Sequence, residues 1–262
     1  MDSFPSLNDS QTALKSLRFS ANLLHSLEVY KVESLTGWWD DFFWGSLIVV
    51  EVFLVSLVLM VLFGLLGSAA KLSNSKILQK IANGYTIIFR GTPEILVLLL
   101  FYFGSAITLT AIANIFDPSI KFIDINPFWA GSIAIGLVVG SYATETFRGA
   151  FLGVDPGQIE AARALGISNF KTFVYIRIPA MWRLALPPFG NHMLSLIKDT
   201  ALISVIGLQE TMFVAEQATA NTGEPFVMYL MVGVIYLSFS TIITLSVMGF
   251  EKYGNKHLEV GK

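Results

Sequence analysis

Long apolar runs separated by short polar ones set the plan of this chain. The first, Phe42 to Leu66, holds one charged residue, Glu51. A second runs from Ile77 to Ile115 and is broken once, at Arg90-Gly91-Thr92-Pro93-Glu94. Three more cover Phe128 to Phe147, Leu184 to Ile206 and Phe226 to Phe250. A helix that crosses a bilayer needs about 20 mainly apolar residues at 1.5 Å rise each. The pattern predicts an all-α integral membrane protein with five transmembrane helices, so that the two ends of the core lie on opposite sides. Residues 42–255 make the membrane domain, residues 1–41 an N-terminal extension and residues 256–262 a short tail. In the extension, Leu14, Leu17, Ala21 and Leu24 recur at helical spacing with Lys15, Arg18 and Glu28 elsewhere. That fits an amphipathic helix on the membrane surface, and a partly ordered tail fits it as well. Trp38, Trp39 and Trp44 fit an interfacial aromatic belt where the first span begins.

Composition supports the membrane reading. The 262 residues are 54% hydrophobic and only 14% charged, against roughly 25% charged in soluble domains; mean hydropathy is +0.64. The position of the charges says more than their sum of -2. Lys71, Lys76 and Lys80 lie between spans one and two. Arg148, Arg163, Lys171, Arg177 and Arg183 lie between three and four, and Lys252, Lys256 and Lys262 follow span five. These are alternate connections, so all can be cytoplasmic together. The other side holds Asp117, Asp124, Glu210, Glu216 and Glu224. The expected topology has the N-terminus outside and the C-terminus in the cytoplasm. The start of the chain lacks a basic residue run followed by an apolar core, so no cleavable signal peptide is expected. There are no cysteines, which excludes disulfides and thiolate chemistry. His25, His192 and His257 are too scattered for a metal site. No basic patch with interleaved aromatics points to nucleic acid.

The segment from Val154 to Pro179 carries the most specific pattern. Asp155 can cap a helix whose first turn accepts Pro156. Gln158 to Leu165 forms a short helix, and Gly166 can take the left-handed position at its end. Ser168 can cap a second short helix, with Pro179 marking its limit. The product is a basic helix–turn–helix elbow on the cytoplasmic face, suited to docking another protein.

Glu160-Ala161-Ala162, then Gly166, Ile176 and Ile178-Pro179, resembles the coupling loop of ATP-binding-cassette (ABC) importer permeases, with Ile178 where leucine is usual. Phe89-Arg90-Gly91-Thr92-Pro93, Glu145 to Ala150, and Ala185-Leu186-Pro187-Pro188 through Lys198-Asp199-Thr200 resemble the polar amino-acid branch. Lys71-Leu72-Ser73, Gly84-Tyr85-Thr86, Ile123 to Pro127 and Glu224-Pro225-Phe226 resemble a membrane subunit of the histidine/lysine/arginine/ornithine and opine permeases. The resemblance covers about residues 43–255 and does not account for the extension. It implies the type I importer (MetI-like) fold in a bacterial inner membrane. It also implies three partners: an ABC ATPase dimer, a second permease subunit (a related chain or a second copy) and an extracytoplasmic substrate-binding protein. Glu160, Ala161, Ala162, Gly166, Ile176 and Pro179 would couple to the ATPase. No G-x-x-x-x-G-K-[ST] loop is present to cradle phosphates, so ATP and Mg would belong to the ATPase and no cofactor to this chain.

Substrate contacts follow from polar residues at membrane depth. Ile77 to Phe89 is about 20 Å of helix, which places Arg90 deep. Gly91 and Pro93 free backbone groups there, tolerated mainly where they line a cavity. Arg90 either meets a substrate carboxylate bidentately or pairs with Glu94 or Glu51. His192, Ser195 and Asp199 share one helix face at spacings of three and four. Asp199 either holds a substrate cation or pairs with Lys198 or an arginine; its position in the Lys-Asp-Thr run matches where resembling permeases place ligand contacts. His192 either hydrogen-bonds substrate or is a satisfied core histidine. Phe89, Thr92 and Glu51 complete the candidate set. Glu145 and Arg148 read as a structural pair. The expected function is import of a polar, basic amino acid by alternating access, without covalent chemistry. An ion- or proton-coupled carrier would use Glu51, Arg90 and Asp199 as coupling-ion or proton sites, but such carriers often contain internal repeats and none is visible. A membrane enzyme would need a motif such as H-E-x-x-H or G-x-S-x-G, and none is present.

Overall fold

A computed structural model describes residues 35–255, so the extension before Leu35 and the tail after Asn255 lie outside the described residues. All regular elements among them are helical. In chain order they are α1 (Trp39–Leu72), α2 (Lys76–Gly91), α3 (Glu94–Phe116), α4 (Pro127–Leu152), α5 (Pro156–Ala164), α6 (Asn169–Thr172), a π turn (Phe173–Arg177), α7 (Ile178–Asp199), a 3-10 turn (Thr200–Ile206), α8 (Thr211–Thr222) and α9 (Pro225–Asn255). Among the described residues, four helices are long and apolar enough to cross a membrane: α1, α3, α4 and α9. α7 occupies the expected fourth crossing and is long enough, but Arg183, His192, Lys198, Asp199 and an internal Pro187-Pro188 dilute its hydropathy. The remaining expected break is present: α2 ends at Gly91, and Thr92-Pro93 separates it from α3.

α4 is the central helix. In its most apolar window 67% of residues are buried, against 17% for α3 and for α9. Membrane helices gain little from hydrophobic association and pack through small residues that let backbones approach. α4 follows that rule with Ala130, Gly131, Ser132, Ala134, Gly136, Gly140, Ser141 and Ala143 in its buried face. α1 answers with Gly64 and Gly67. A Cβ at Gly64 would stand 2.9 Å from both Ala143 Cβ and the Phe147 ring, and one at Gly136 would stand 2.7 Å from Leu59 Cβ. Polar atoms at this seam are mostly used: the Ser56 hydroxyl donates to the Ser132 carbonyl at 3.1 Å, and Thr144 donates to the Gly140 carbonyl at 2.9 Å. Below the seam, Phe147 packs on Trp182 and Phe189 of α7, with centroids at 5.5 and 5.8 Å.

The elbow at residues 154–179 forms for the reasons its sequence offers. Asp155 caps α5 by accepting the Gly157 amide at 2.8 Å, Pro156 sits in the first turn, and Gly166 takes φ +74°. Ser168 caps α6. Pro179 does not end the second helix as expected. The chain runs from α6 through the π turn into α7, with Pro179 inside the first turn of α7. Proline in a continuing helix removes a hydrogen bond and crowds the carbonyl four residues earlier, and the wider π turn immediately upstream accommodates that misfit.

The α1–α4 seam makes a direct test. Gly64→Val should destabilise the purified protein by roughly 1–3 kcal/mol through overpacking, seen as a lower midpoint of thermal aggregation in detergent. Gly104→Ala, on α3 with nothing within 4 Å of its added Cβ, should leave that midpoint unchanged.

Candidate functional site

Two polar centres lie on either side of the Thr92-Pro93 break. The first is a cavity of about 370 Å³ lined by Lys71, Asn83, Thr86, Arg90, Tyr142 and Glu145, with Ile87 and Gly91. α1 supplies Lys71, α2 supplies Asn83 through Gly91, and α4 supplies Tyr142 and Glu145. The Lys71 ammonium donates to Glu145 Oε1 and to Thr86 Oγ1 at 2.7 Å. Arg148 Nε donates to Glu145 Oε2 at 2.8 Å. The expected Glu145–Arg148 pair is therefore real, but Glu145 is shared, and Lys71 is the better buried cation, with 10% of its side chain exposed against 38% for Arg148.

Arg90 is exposed in this cavity. It pairs with neither Glu94 nor Glu51; the described ion pairs are those on Glu145. Its guanidinium lies over the Tyr142 ring, 5.2 Å from the centroid, a cation–π arrangement that leaves its donors open to a carboxylate. Tyr142 in turn stands 6.3 Å from the His192 ring, and His192 Nε2 shares a 2.8 Å hydrogen bond with Thr146 Oγ1.

The second centre is a carboxyl pair. Asp199, the last residue of α7, faces Glu94, the first of α3, within side-chain hydrogen-bonding reach. Ile135, Val138 and Val139 of α4 wall the space between them, which is only about 10 Å³, close to the minimum for one water. Asp199 Oδ2 is buried without a hydrogen-bond partner among the described residues. Two carboxyl groups in contact either share a proton or take up a cation. Lys198, one of the partners weighed for Asp199, adds an attractive charge nearby, but the contact itself is with Glu94.

The other expected site residues are dispersed. Thr92 closes α2 and spends its hydroxyl on the Ile88 carbonyl at 2.8 Å. Phe89 packs on Tyr85, centroids 5.2 Å apart, while the Tyr85 hydroxyl donates to the Leu137 carbonyl at 2.6 Å. Ser195 is exposed on α7 and joins neither centre, although it shares a helix with His192 and Asp199. Glu51 is exposed on α1 and lines neither cavity. Glu94, Tyr142, Thr146 and Lys71 were not in the candidate set. Glu94 carries a visible signal, an acid opening a helix after Pro93, but four residues from Arg90 that signal suggests only an ion pair. The other three belong to centres that form only when α1, α4 and α7 meet.

On the elbow, Glu160, Ala161, Gly166 and Pro179 are exposed, Ala162 is buried and Ile176 is half-buried. Leu165, Phe170 and Tyr175 add large apolar side chains that are 73–80% exposed outside any crossing helix. Behind them a cavity of about 480 Å³ opens between Asp155, Gln158, Tyr175, Ile176, Pro179 and Arg183. Exposed apolar surface of this kind is what a protein or membrane contact would bury.

An apolar bundle, a proline-broken helix flanking polar centres, and a protruding elbow define the membrane component of a transporter. The chain belongs to the family described as binding-protein-dependent transport system inner membrane component, which matches residues 61–252. It is therefore a multi-pass inner-membrane protein. Among its relatives, the histidine/lysine/arginine/ornithine transport system permease protein HisQ of Salmonella typhimurium is 42% identical over 198 residues, 76% of this chain and 86% of that one. The octopine transport system permease protein OccQ of Rhizobium radiobacter is 41% identical over 201 residues, 77% of this chain and 84% of that one. A solved amino acid ABC transporter with histidines superposes with a TM-score of 0.72 at 28% identity, covering 84% of this chain and 97% of that chain.

The shared carboxylate of the first centre yields a test. Lys71→Met strands Glu145 beside Arg148 alone and should cost roughly 2–3 kcal/mol, somewhat under the figure for a fully buried pair. Arg148→Met should cost much less. Adding Glu145→Gln to Lys71→Met should recover part of the loss, read as coupling in a double-mutant cycle of thermal stability.

Proposed function

We propose that this chain is the permease subunit of an ATP-driven importer for basic amino acids, and that the two centres flanking Thr92-Pro93 recognise the two ends of the substrate. Arg90, open in its cavity above Tyr142, takes the α-carboxylate. Glu94 and Asp199 take the side-chain cation. His192 and Thr146 offer hydrogen bonds on the way between them. The observation that carries this reading is the contact between Glu94 and Asp199, with one Asp199 oxygen buried and unpartnered. A guanidinium or ammonium placed there relieves the repulsion and supplies the missing donor. The names of the relatives agree: they are transport permeases for histidine, lysine, arginine and ornithine, and for octopine. The space of about 10 Å³ between the acids is far too small for a side chain, so substrate entry requires α3 and α7 to separate, which is what alternating access provides.

In this reading the N-terminus is outside and the C-terminus cytoplasmic, with α7 as the fourth of five crossing helices and the membrane domain at residues 42–255. The elbow at residues 154–179 docks an ABC ATPase through Glu160, Ala161, Ala162, Gly166, Ile176 and Pro179, helped by exposed Leu165 and Phe170. ATP and Mg act on that ATPase. A second permease subunit completes the path, and an extracytoplasmic binding protein delivers the amino acid.

Reconstituted complex in proteoliposomes provides the test. Asp199→Asn and Glu94→Gln should each raise KM for arginine or lysine about 10-fold or more, the scale of one lost charge-assisted contact, with assembly and basal ATP hydrolysis retained. Unchanged uptake by an assembled Asp199→Asn complex would remove the cation site. Separately, Glu160→Lys should abolish co-purification of the ATPase together with uptake; normal uptake by that variant would remove the ATP-driven reading.

A further inference from the structure

Glu210 is out of place for a loop acid. It lies between α7 and α9 with acids such as Glu216, which is exposed, yet Glu210 itself is 1% exposed. Among the described residues no other charged residue is buried to that degree. Burying a carboxylate is costly unless hydrogen bonds replace its water. Glu210 has three. It caps α8 by accepting the Met212 amide on Oε2 at 2.9 Å and the Phe213 amide on Oε1 at 3.1 Å. The third comes from another helix: the Tyr236 hydroxyl of α9 donates to Oε2 at 3.2 Å.

Capping accounts for the first two bonds only. Aspartate, asparagine, serine and threonine are the usual caps. The longer side chain of Glu210 lets one carboxylate cap α8 and still reach the phenol. That phenol has a second contact. Its oxygen lies 3.2 Å from Thr200 Oγ1, and Thr200, which is fully buried, also donates to the Ile197 carbonyl in the last turn of α7 at 2.7 Å. While Tyr236 donates to Glu210, its oxygen is free to accept from Thr200. The contacts join three separate elements: the 3-10 turn after α7, the start of α8, and α9. Tyr236 also packs against both apolar clusters of the core, so its ring is held independently of its hydroxyl.

Thr200 directly follows Asp199. Asp199 faces another acid, Glu94, and its Oδ2 has no hydrogen-bond partner among the described residues. Two ionised carboxylates repel, so the side chain of Asp199 does not hold itself in place. Its position has to be set through the backbone. We propose that Glu210 and Tyr236 are positioning residues for the cation site: through Thr200 they fix the end of α7 so that Asp199 stays opposite Glu94. Neither touches the substrate. The proposal rests on the reading that Asp199 takes the cation of the substrate.

Arginine uptake by the reconstituted complex in proteoliposomes provides the test. Tyr236→Phe removes one hydroxyl and keeps the ring. It should raise KM for arginine about 2- to 10-fold, the scale of one hydrogen bond, with kcat changed less than KM. Thr200→Val should do the same, and Thr200→Ser, which keeps the hydroxyl, should stay near wild type. Glu210→Gln should shift KM in the same direction and add little to Tyr236→Phe. The deciding measurement is a cycle with Asp199→Asn. Once that carboxylate is gone there is nothing left to position, so Tyr236→Phe should not raise KM further. A wild-type KM in Tyr236→Phe overturns the proposal. So does a shift that persists in full beside Asp199→Asn, which is the mark of a general loss of packing. Either result, with KM raised by Asp199→Asn alone, leaves the cation site standing. A wild-type KM in an assembled Asp199→Asn complex removes the cation site and this proposal together.

Discussion

The close approach of α1 to α4 is the constraint on which the rest depends. In lipid, two apolar helices gain nothing by leaving one apolar medium for another, so contact has to come from fit. Gly64 and Gly67 on one side and Gly136, Gly140 and Ala143 on the other remove the side chains that would hold the backbones apart. Once α4 is fixed in the middle, its remaining faces become mounting positions. Tyr142 and Glu145 point into one polar cavity, Thr146 reaches His192, and Val138 and Val139 wall the acid pair. The same rigid helix therefore sets the spacing between the positive and negative centres.

That spacing explains why the break in the second apolar run matters. Arg90 and Glu94 stand on either side of Thr92-Pro93, one at the end of α2 and one at the start of α3. In an unbroken helix, residues four apart would lie on one face and an arginine and a glutamate would pair. With the helix interrupted they do not. Arg90 turns to the Tyr142 ring and Glu94 to Asp199. Opposite charges that would otherwise satisfy each other are held apart and left available, which is the arrangement a zwitterion with a basic side chain requires.

The sequence made the membrane class, the break, the elbow and the helix caps legible, because each depends on local chemistry: apolar run length, proline, and Asp155, Ser168 and Gly166 at the ends of short helices. It singles out Arg90, His192 and Asp199 but not the residues they meet. Helical spacing on α7 grouped His192, Ser195 and Asp199, and packing separates them, since His192 meets α4, Asp199 meets α3 and Ser195 meets neither. The Glu94–Asp199 contact joins positions 105 residues apart (199 minus 94), and no local pattern encodes it. Pro179 failed as a stop signal for a related reason: the π turn that accommodates it is not a pattern that helix-end rules contain.

α7 connects the two ends of this account. Its first turn holds Pro179 of the elbow and its last residue is Asp199, so one helix of 22 residues runs from the elbow to the acid pair. It is not a uniform rod. The π turn lies at one end, a 3-10 turn at the other, and Pro187-Pro188 in the middle removes the helical partners of the Arg183 and Leu184 carbonyls. These are the places where a helix bends at least cost. A small displacement of the elbow can then tilt the Asp199 end away from Glu94 while the α1–α4 seam stays closed. The acid pair proposed to bind the cation and the elbow proposed to meet the ATPase are linked through one element with built-in bends, which would let a seam too tight to deform coexist with a site that has to open.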